Sequence, residues 1–295
     1  MIEDATRGVE FSTFVIGAIL RPSLLDRDDA VRSAHHLKGS GSIKSEITQY
    51  LTRRFRRVTD AAIDYDHPDL TVTVNFRDDS VHIHTRPITI SGRYTKRRRG
   101  IPQKRQPDTT SVEKQISEFL LDVTGARRAR ITWIGGEDKQ SLVLGDGRPF
   151  LARMFNPRRQ NPSLPSTHTL PDVGLACLAA SPDSPVMPIP FRSVIRIRVS
   201  TEDAVSPALL RSLRMIPKTP VLIYNDTNRI NQKRIYSLRY RRRSPNLLTI
   251  SIEAQGGLPV KRFIEGDSIS PSVADMLETS CTCLSFDFLQ VILEK

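Results

Sequence analysis

A chain of 295 residues is long for one compact domain and comfortable for two, each able to bury its own core. With 44 Lys and Arg against 32 Asp and Glu, the formal net charge is +12, which favours RNA, DNA or an anionic membrane surface as partner. No apolar run approaches the roughly 18 residues of a membrane helix, the start MIEDATRGVEF is not a secretory signal, and Cys177, Cys281 and Cys283 include no CxxC pair for a disulfide framework or zinc site, so a cytoplasmic protein without metal is expected.

Residues 42–57 read as a helix, because Ile43, Ile47, Leu51 and Phe55 recur every four residues while Arg53, Arg54, Arg56 and Arg57 crowd its far end. Residues 70–76 alternate, Asp78 and Asp79 supply a turn, and 81–90 alternate again across Pro87, which predicts a hairpin with an edge strand. His82 and His84 share a strand face, a setting where structural or solvated histidines outnumber metal ligands. Residues 1–107 are thus expected to form one α/β module, closing on the basic stretch GRYTKRRRGIPQKRQP.

The second unit, 108–295, opens with a helix: Thr110 and Glu113 suit a capping box, Val112, Ile116 and Leu120 carry the stripe, and Gly125 stops it. Strand-like 129–135 follows, then the polar turn GEDKQ, then 142–154 as strand, Gly145–Asp146–Gly147 turn, strand. Residues 156–190 are rich in proline and serine with little periodicity and read as an insertion loop or linker. A strand (191–200), a helix (206–215) and a strand (221–226) come next, then a hairpin over 233–254 turning at Ser244, Pro245 and Asn246. A helix starting near Pro271 and a final strand over 281–293, where Cys281 and Cys283 read as buried small hydrophobes, complete an α+β pattern.

No phosphate loop, dinucleotide fingerprint, nucleophile elbow or HExxH motif occurs, which argues against ATP-driven and metal-hydrolytic chemistry. The basic clusters are informative: Arg53 to Arg57, then Lys96, Arg97, Arg98 and Arg99 beside Tyr94, then Arg127, Arg128 and Arg130, then Arg239, Arg241, Arg242 and Arg243 around Tyr240. Repeated clusters interleaved with aromatics point to a nucleic-acid groove.

Three stretches in order, GRYTKRRRGIPQ, GGEDKQSLVLGDGRPF and GGLPVKRFIEGDSISPSV, resemble the archaeal and eukaryotic tRNA pseudouridine synthase family called Pus ten. The likeness runs from about Phe11 to the end and is weakest between Arg158 and Pro190. It implies a THUMP-like tRNA-binding module over 1–107 and a catalytic domain with a mainly antiparallel sheet over 108–295. The implied activity is isomerisation of uridine to pseudouridine in the TΨC arm (positions 54 and/or 55), without cofactor, by a monomer acting on tRNA. On the family pattern GREDxDxRxLGxGRPF the catalytic carboxylate falls on Asp138, and Lys261 in GLPVKRF matches its basic partner, which a buried Asp needs to stay ionised. The resemblance places Ile195 where a tyrosine covers the uracil, and assigns Tyr94, Lys96, Arg97, Arg98, Arg99 and Arg148 to substrate binding. The chain departs from the family at Gly136, Gln140, Leu142, Ile195 and Pro259, and the family's CxxC zinc module is missing. The alternative left open is a relative that binds tRNA without isomerising it.

Overall fold

The computed structural model describes residues 1–36, 41–107, 109–183, 185–224 and 230–294. The first elements are α1 (Ile2–Thr6), β1 (Thr13–Ile19), α2 (Pro22–Ala34), α3 (Ile43–Arg56), β2 (Ala62–Ile63), β3 (Leu70–Asn75) and β4 (Ser80–Thr85). They build a four-stranded sheet in the order β2–β1–β3–β4, with β1 parallel to both neighbours and β3–β4 the expected hairpin. Helix α3 starts where Ser42 accepts the Ser45 N–H, and its stripe ends on Phe55, edge-on to Phe14 at 5.0 Å. Phe14, Ile16, Phe55, Ala61, Leu70 and Val72 form this unit's own core, and the arginines of α3 stay exposed.

Residues 81–90 do not form one strand. Pro87 offers no N–H to a ladder; β4 stops at Thr85, and β5 (Ile88–Lys96) enters a different, larger sheet. Strand pairing alone therefore assigns residues 88–96 to the second unit, and we propose a boundary at Arg86 and Pro87 in place of residue 107. The units also touch at this seam: Thr85 Oγ1 donates to the Pro157 carbonyl at 2.7 Å, and Glu10 N–H to that of Arg158.

The rest of the chain runs α4 (Val112–Thr124), β6 (Arg128–Trp133), β7 (Val143–Phe155), β8 (Thr167–Thr169), β9 (Val173–Ser181), β10 (Phe191–Thr201) and α5 (Pro207–Ser212), which passes into a 3-10 turn (Leu213–Lys218). Then come β11 (Val221–Tyr224), β12 (Ile230–Lys233), β13 (Ile235–Ser244), β14 (Leu247–Gln255), α6 (Val260–Glu265), β15 (Ile269–Ser270), α7 (Val273–Leu277) and β16 (Cys281–Leu293). The large sheet has the order β13–β14–β10–β16–β7–β5–β9–β8, with β6 also on β7; β12–β11–β15 form a small separate sheet. Its pairings are antiparallel except at β16–β7, where Phe288 meets Val143 in parallel. Along β10, Ile195, Ile197 and Val199 are buried while Arg196 and Arg198 are exposed, so helices cover one face of this end of the sheet.

Three local expectations need correction. The cap of α4 is Ser111, not Thr110: Ser111 has the extended backbone a cap requires and accepts the Lys114 N–H, while Glu113 turns back to the Arg105 N–H. Gly145–Asp146–Gly147 is not a turn between strands but a wide bulge inside β7, since Lys96 faces Val143 while Tyr94 faces Arg148. Both glycines have positive φ, and a Cβ at Gly147 would lie 2.5 Å from the Tyr94 carbonyl oxygen. Residues 156–190 are not all loop, because β9 lies beside β5 through most of its length. Its segment VGLACLAAS has no aromatic residue and, after Val173, no β-branched one to advertise a strand. Of the predicted strand 221–226, Asn225 and Asp226 lie outside the described residues.

Candidate active site

The loop joining β6 to β7 carries Asp138. It leaves β6 through Gly135 (φ +82°), where a Cβ would sit 2.5 Å from the Phe191 ring and 2.6 Å from the Arg148 guanidinium. It closes as the Asp138 carbonyl accepts the Ser141 N–H at 2.9 Å. The Asp138 carboxylate is held at both oxygens: Oδ1 accepts the Gln140 N–H at 2.8 Å, and Oδ2 accepts Lys261 Nζ at 2.7 Å. Lys261 stands on the first turn of α6, which Val260, Phe263 and Ile264 pin to the core and Gly266 ends in a left-handed cap. The structure thus brings together two residues 123 positions apart. Their side chains are 26% and 51% exposed, so the pair is open to a ligand.

Partial burial pushes the Asp138 carboxyl up. The hydrogen bonds from Lys261 and Gln140, with the charges of Lys261 and Lys96, outweigh it and hold the group below the usual carboxylate range. The same hydrogen bond raises the Lys261 ammonium, so both partners are ionised at neutral pH.

Behind this pair lies a buried polar cluster that the sequence reading assigned differently. Tyr94, Lys96 and Arg148 were expected to contact tRNA, yet all three are 0% exposed. Lys96 Nζ lies 3.0 Å from Glu137 Oε1 and donates to the carbonyls of Ile101 and Asp138. Tyr94 donates its hydroxyl proton to Glu137 Oε2 at 3.0 Å and accepts from Gln103 Nε2 at 2.8 Å. Arg148 donates to the Ile134 carbonyl, approaches Glu137 to 3.9 Å and lies 4.1 Å over the Phe288 ring. Burial raises the Glu137 carboxyl despite its cationic neighbours. Burial also raises the Tyr94 phenol, as does the Glu137 charge. These groups fasten the carbonyls of Ile134, Gly135 and Asp138, at the start and middle of the Asp138 loop, and they do not meet solvent. The signal was present: Ile88, Ile90, Gly92, Tyr94 and Lys96 share one parity of β5, and that face is buried. Glu137 and Gln103 escaped notice because each resembles an ordinary surface residue in an unfolded string.

Ile195, expected at the uracil, is 2% exposed between Ile252 of β14 and Phe288 of β16. Its place on the apolar parity of β10 decides this, and it cannot cover a base. Arg97, Arg98 and Arg99 are exposed as expected. Arg98 reaches Asp172 at 3.4 Å, and Arg99 grips Asp287 at 2.7 and 2.8 Å while also donating to the Gln140 carbonyl. Asp287 in turn accepts the Leu142 N–H at 3.0 Å, so Arg99 and Asp287 brace the far side of the Asp138 loop. Of the departures, Gly136 faces open space, Gln140 serves through its backbone N–H, and Pro259 precedes the first turn of α6. Cys281 and Cys283 are buried, with thiols pushed up to about 11. Among the described residues, no group of three or more His, Cys, Asp or Glu is arranged to hold a metal ion.

Comparison with known proteins gives a consistent result. The family profile described as "Pus10 THUMP domain, archaeal" matches residues 1–75, and that described as "Pus10, C-terminal" matches 89–172 and 193–292. The tRNA pseudouridine synthase Pus10 of Nitrosopumilus maritimus is 36% identical over 309 residues, covering 99% of this chain and 81% of that protein. That of Cenarchaeum symbiosum is 36% identical over 304 residues, covering 97% and 75%. Among solved structures, a Cbf5-Nop10-Gar1 complex aligns over 69% of this chain and 50% of that one, with 6% identity and a TM-score of 0.40, too loose a likeness to carry a residue's role.

Proposed function

Because the chain belongs to the Pus10 family, we propose that it isomerises uridine to pseudouridine in the TΨC arm of tRNA, with Asp138 as the reacting carboxylate. The observation that carries the assignment is the exposed Asp138–Lys261 pair on a loop braced from behind. The reaction breaks the C1′–N1 bond, rotates the uracil and joins C1′ to C5; the C5 proton is lost and N1 gains one. It is internal to the nucleotide and calls for no co-substrate. An ionised carboxylate beside the ribose begins it, by attack or by proton abstraction. Lys261 keeps Asp138 charged and aimed, and the two braces fix the height of the loop. The uridine must first leave its stack, at a cost of a few kcal/mol that pocket contacts offset.

The same reading includes tRNA as partner and action as a monomer in the cytoplasm. No described helix is long and apolar enough to cross a membrane.

One observation favours the alternative of a binder without chemistry: Ile195, which the resemblance puts in the place of the family's stacking tyrosine, is buried and offers the uracil no cover. Incubating the protein with an unmodified tRNA transcript, then mapping pseudouridine by derivatisation and primer extension, separates the readings. Product in the T arm that vanishes in Asp138→Ala, with tRNA binding kept, supports the enzyme. Tight binding with no product from the unaltered protein sinks it and leaves the binder.

A further inference from the structure

One basic cluster of the sequence plays no part in the Asp138 site. Residues Arg239, Arg241 and Arg243 alternate along the edge strand β13, and all are exposed. Cross-strand register continues the row. Arg239 lies opposite Ser251 of β14, Ser251 opposite Arg196 of β10, and Arg196 opposite Asp287 of β16. The next row runs from Arg241 to Thr249, then Arg198, then Ser285. Residues directly opposite across a ladder share a face. Arg196, Arg198, Arg239 and Arg241 therefore stand on one face of the sheet, the face not covered by helices, and Arg243 reaches the same face through its hydrogen bond to Thr249 Oγ1. Arg196, Arg239, Arg241 and Arg243 line a shallow groove of about 380 Å³ floored by Thr249 and Ser251.

This face is cationic without internal compensation. Its carboxylates are already engaged: Asp287 with Arg99, and Glu253 with Arg192. None of the five arginines makes an ion pair with a described residue, and Arg243 has only a 3.4 Å hydrogen bond to Thr249 Oγ1. Five guanidiniums beside small hydroxyl residues, on a flat open surface, fit a repeating anion better than a carboxylate or an apolar partner. Strands lie about 4.8 Å apart, so the row from Arg239 to Asp287 spans about 14 Å, several nucleotides of a single strand. It ends at Arg99 and Asp287, which hold the Gln140 carbonyl and the Leu142 N–H in the loop of Asp138.

We propose that this face carries the sugar–phosphate backbone of the tRNA flanking the target uridine, leading it from the β13 edge to the Asp138 loop. The proposal rests on the reading that tRNA is the substrate. Its residues position the substrate and take no part in bond making.

The test is the full-length Arg239→Gln/Arg241→Gln protein, with thermal melting to confirm that it folds as the parent does. An Arg211→Gln/Arg214→Gln protein removes the same charge from the helical layer. KM and kcat for an unmodified tRNA transcript are measured, together with the dependence of tRNA affinity on salt. Expected are a KM raised about tenfold, an unchanged kcat, and a log–log salt slope smaller by roughly 1.5, as two lost phosphate contacts would give, with the control near the parent. An unchanged KM and slope overturns the proposal, and so does an equal loss in the control, which would make the effect one of net charge alone. If the parent forms no pseudouridine while the β13 variant still loses affinity and slope, the RNA face stands and the enzymatic reading fails.

Discussion

Glu137 and Asp138 are consecutive acids, each facing a lysine at about the same distance, and the fold treats them in opposite ways. Glu137 meets Lys96 with both side chains wholly buried, ringed by Tyr94, Gln103 and Arg148. Asp138 meets Lys261 at the surface, with a backbone N–H on its other oxygen. Burial raises the first carboxyl, while hydrogen bonds and charge hold the second below its usual range. Two neighbouring carboxyls driven apart in this way take different roles. The buried pair anchors the loop, and the open pair stands where a substrate can reach it. Side-chain chemistry alone does not distinguish them; access to water does.

The comparison breaks most visibly if the buried lysine is removed. Lys96→Met leaves the buried Glu137 without its close cation, with only Arg148 at 3.9 Å against its charge, and should cost about 3–5 kcal/mol, lowering the melting temperature by about 10 °C. Adding Glu137→Gln should recover part of that loss, because the orphaned charge goes with it. Melting that barely moves in the single variant would mean the pair is not the anchor.

A smaller effect is expected from Gly147→Ala. The added Cβ meets the Tyr94 carbonyl, a backbone atom that cannot rotate away, at a position with φ +78°. A loss of about 1–3 kcal/mol in denaturant unfolding is expected. Activity should fall with it, because Tyr94, Lys96 and Arg148 shift together. A neutral substitution would show that the bulge does not set the cluster's geometry.

Lys261→Gln should hardly change stability, by less than about 1 kcal/mol, since the pair is half exposed. It should change the pH profile. Asp138 has a depressed folded value, so its contribution is present above the unfolded value near ~3.9 and is lost as pH falls through the folded one. The acid limb of kcat/KM in the parent therefore lies below about 3.9. Without Lys261, partial burial is less opposed and the limb moves up. A limb that stays in place while the rate falls would assign Lys261 to another step.

Much of this was legible in the sequence where periodicity and geometry coincide. The α3 stripe, the β13–β14 hairpin and β16 follow from alternation or four-residue spacing that burial then rewards. The pairing of Asp138 with Lys261 came from motif order, because a separation of 123 positions leaves no local trace of it. Other features were hidden for physical reasons. Strand β9 is rich in Gly and Ala, whose place in a sheet is set by neighbours and not by propensity. Tyr94 and Lys96 looked like RNA contacts because they adjoin Arg97, Arg98 and Arg99, although strand parity puts them on the buried face. Glu137 was overlooked because a buried ion pair is recognised only once both partners have folded around it.

The division of labour between the two acids is tested most directly by comparing Asp138→Asn with Glu137→Gln in one assay of melting temperature and pseudouridine yield on the same tRNA transcript. The account predicts that Asp138→Asn melts like the parent and forms no product. Glu137→Gln should melt at an altered temperature and still form product wherever it remains folded. Product from Asp138→Asn, or a fully folded Glu137→Gln that makes none, would contradict it.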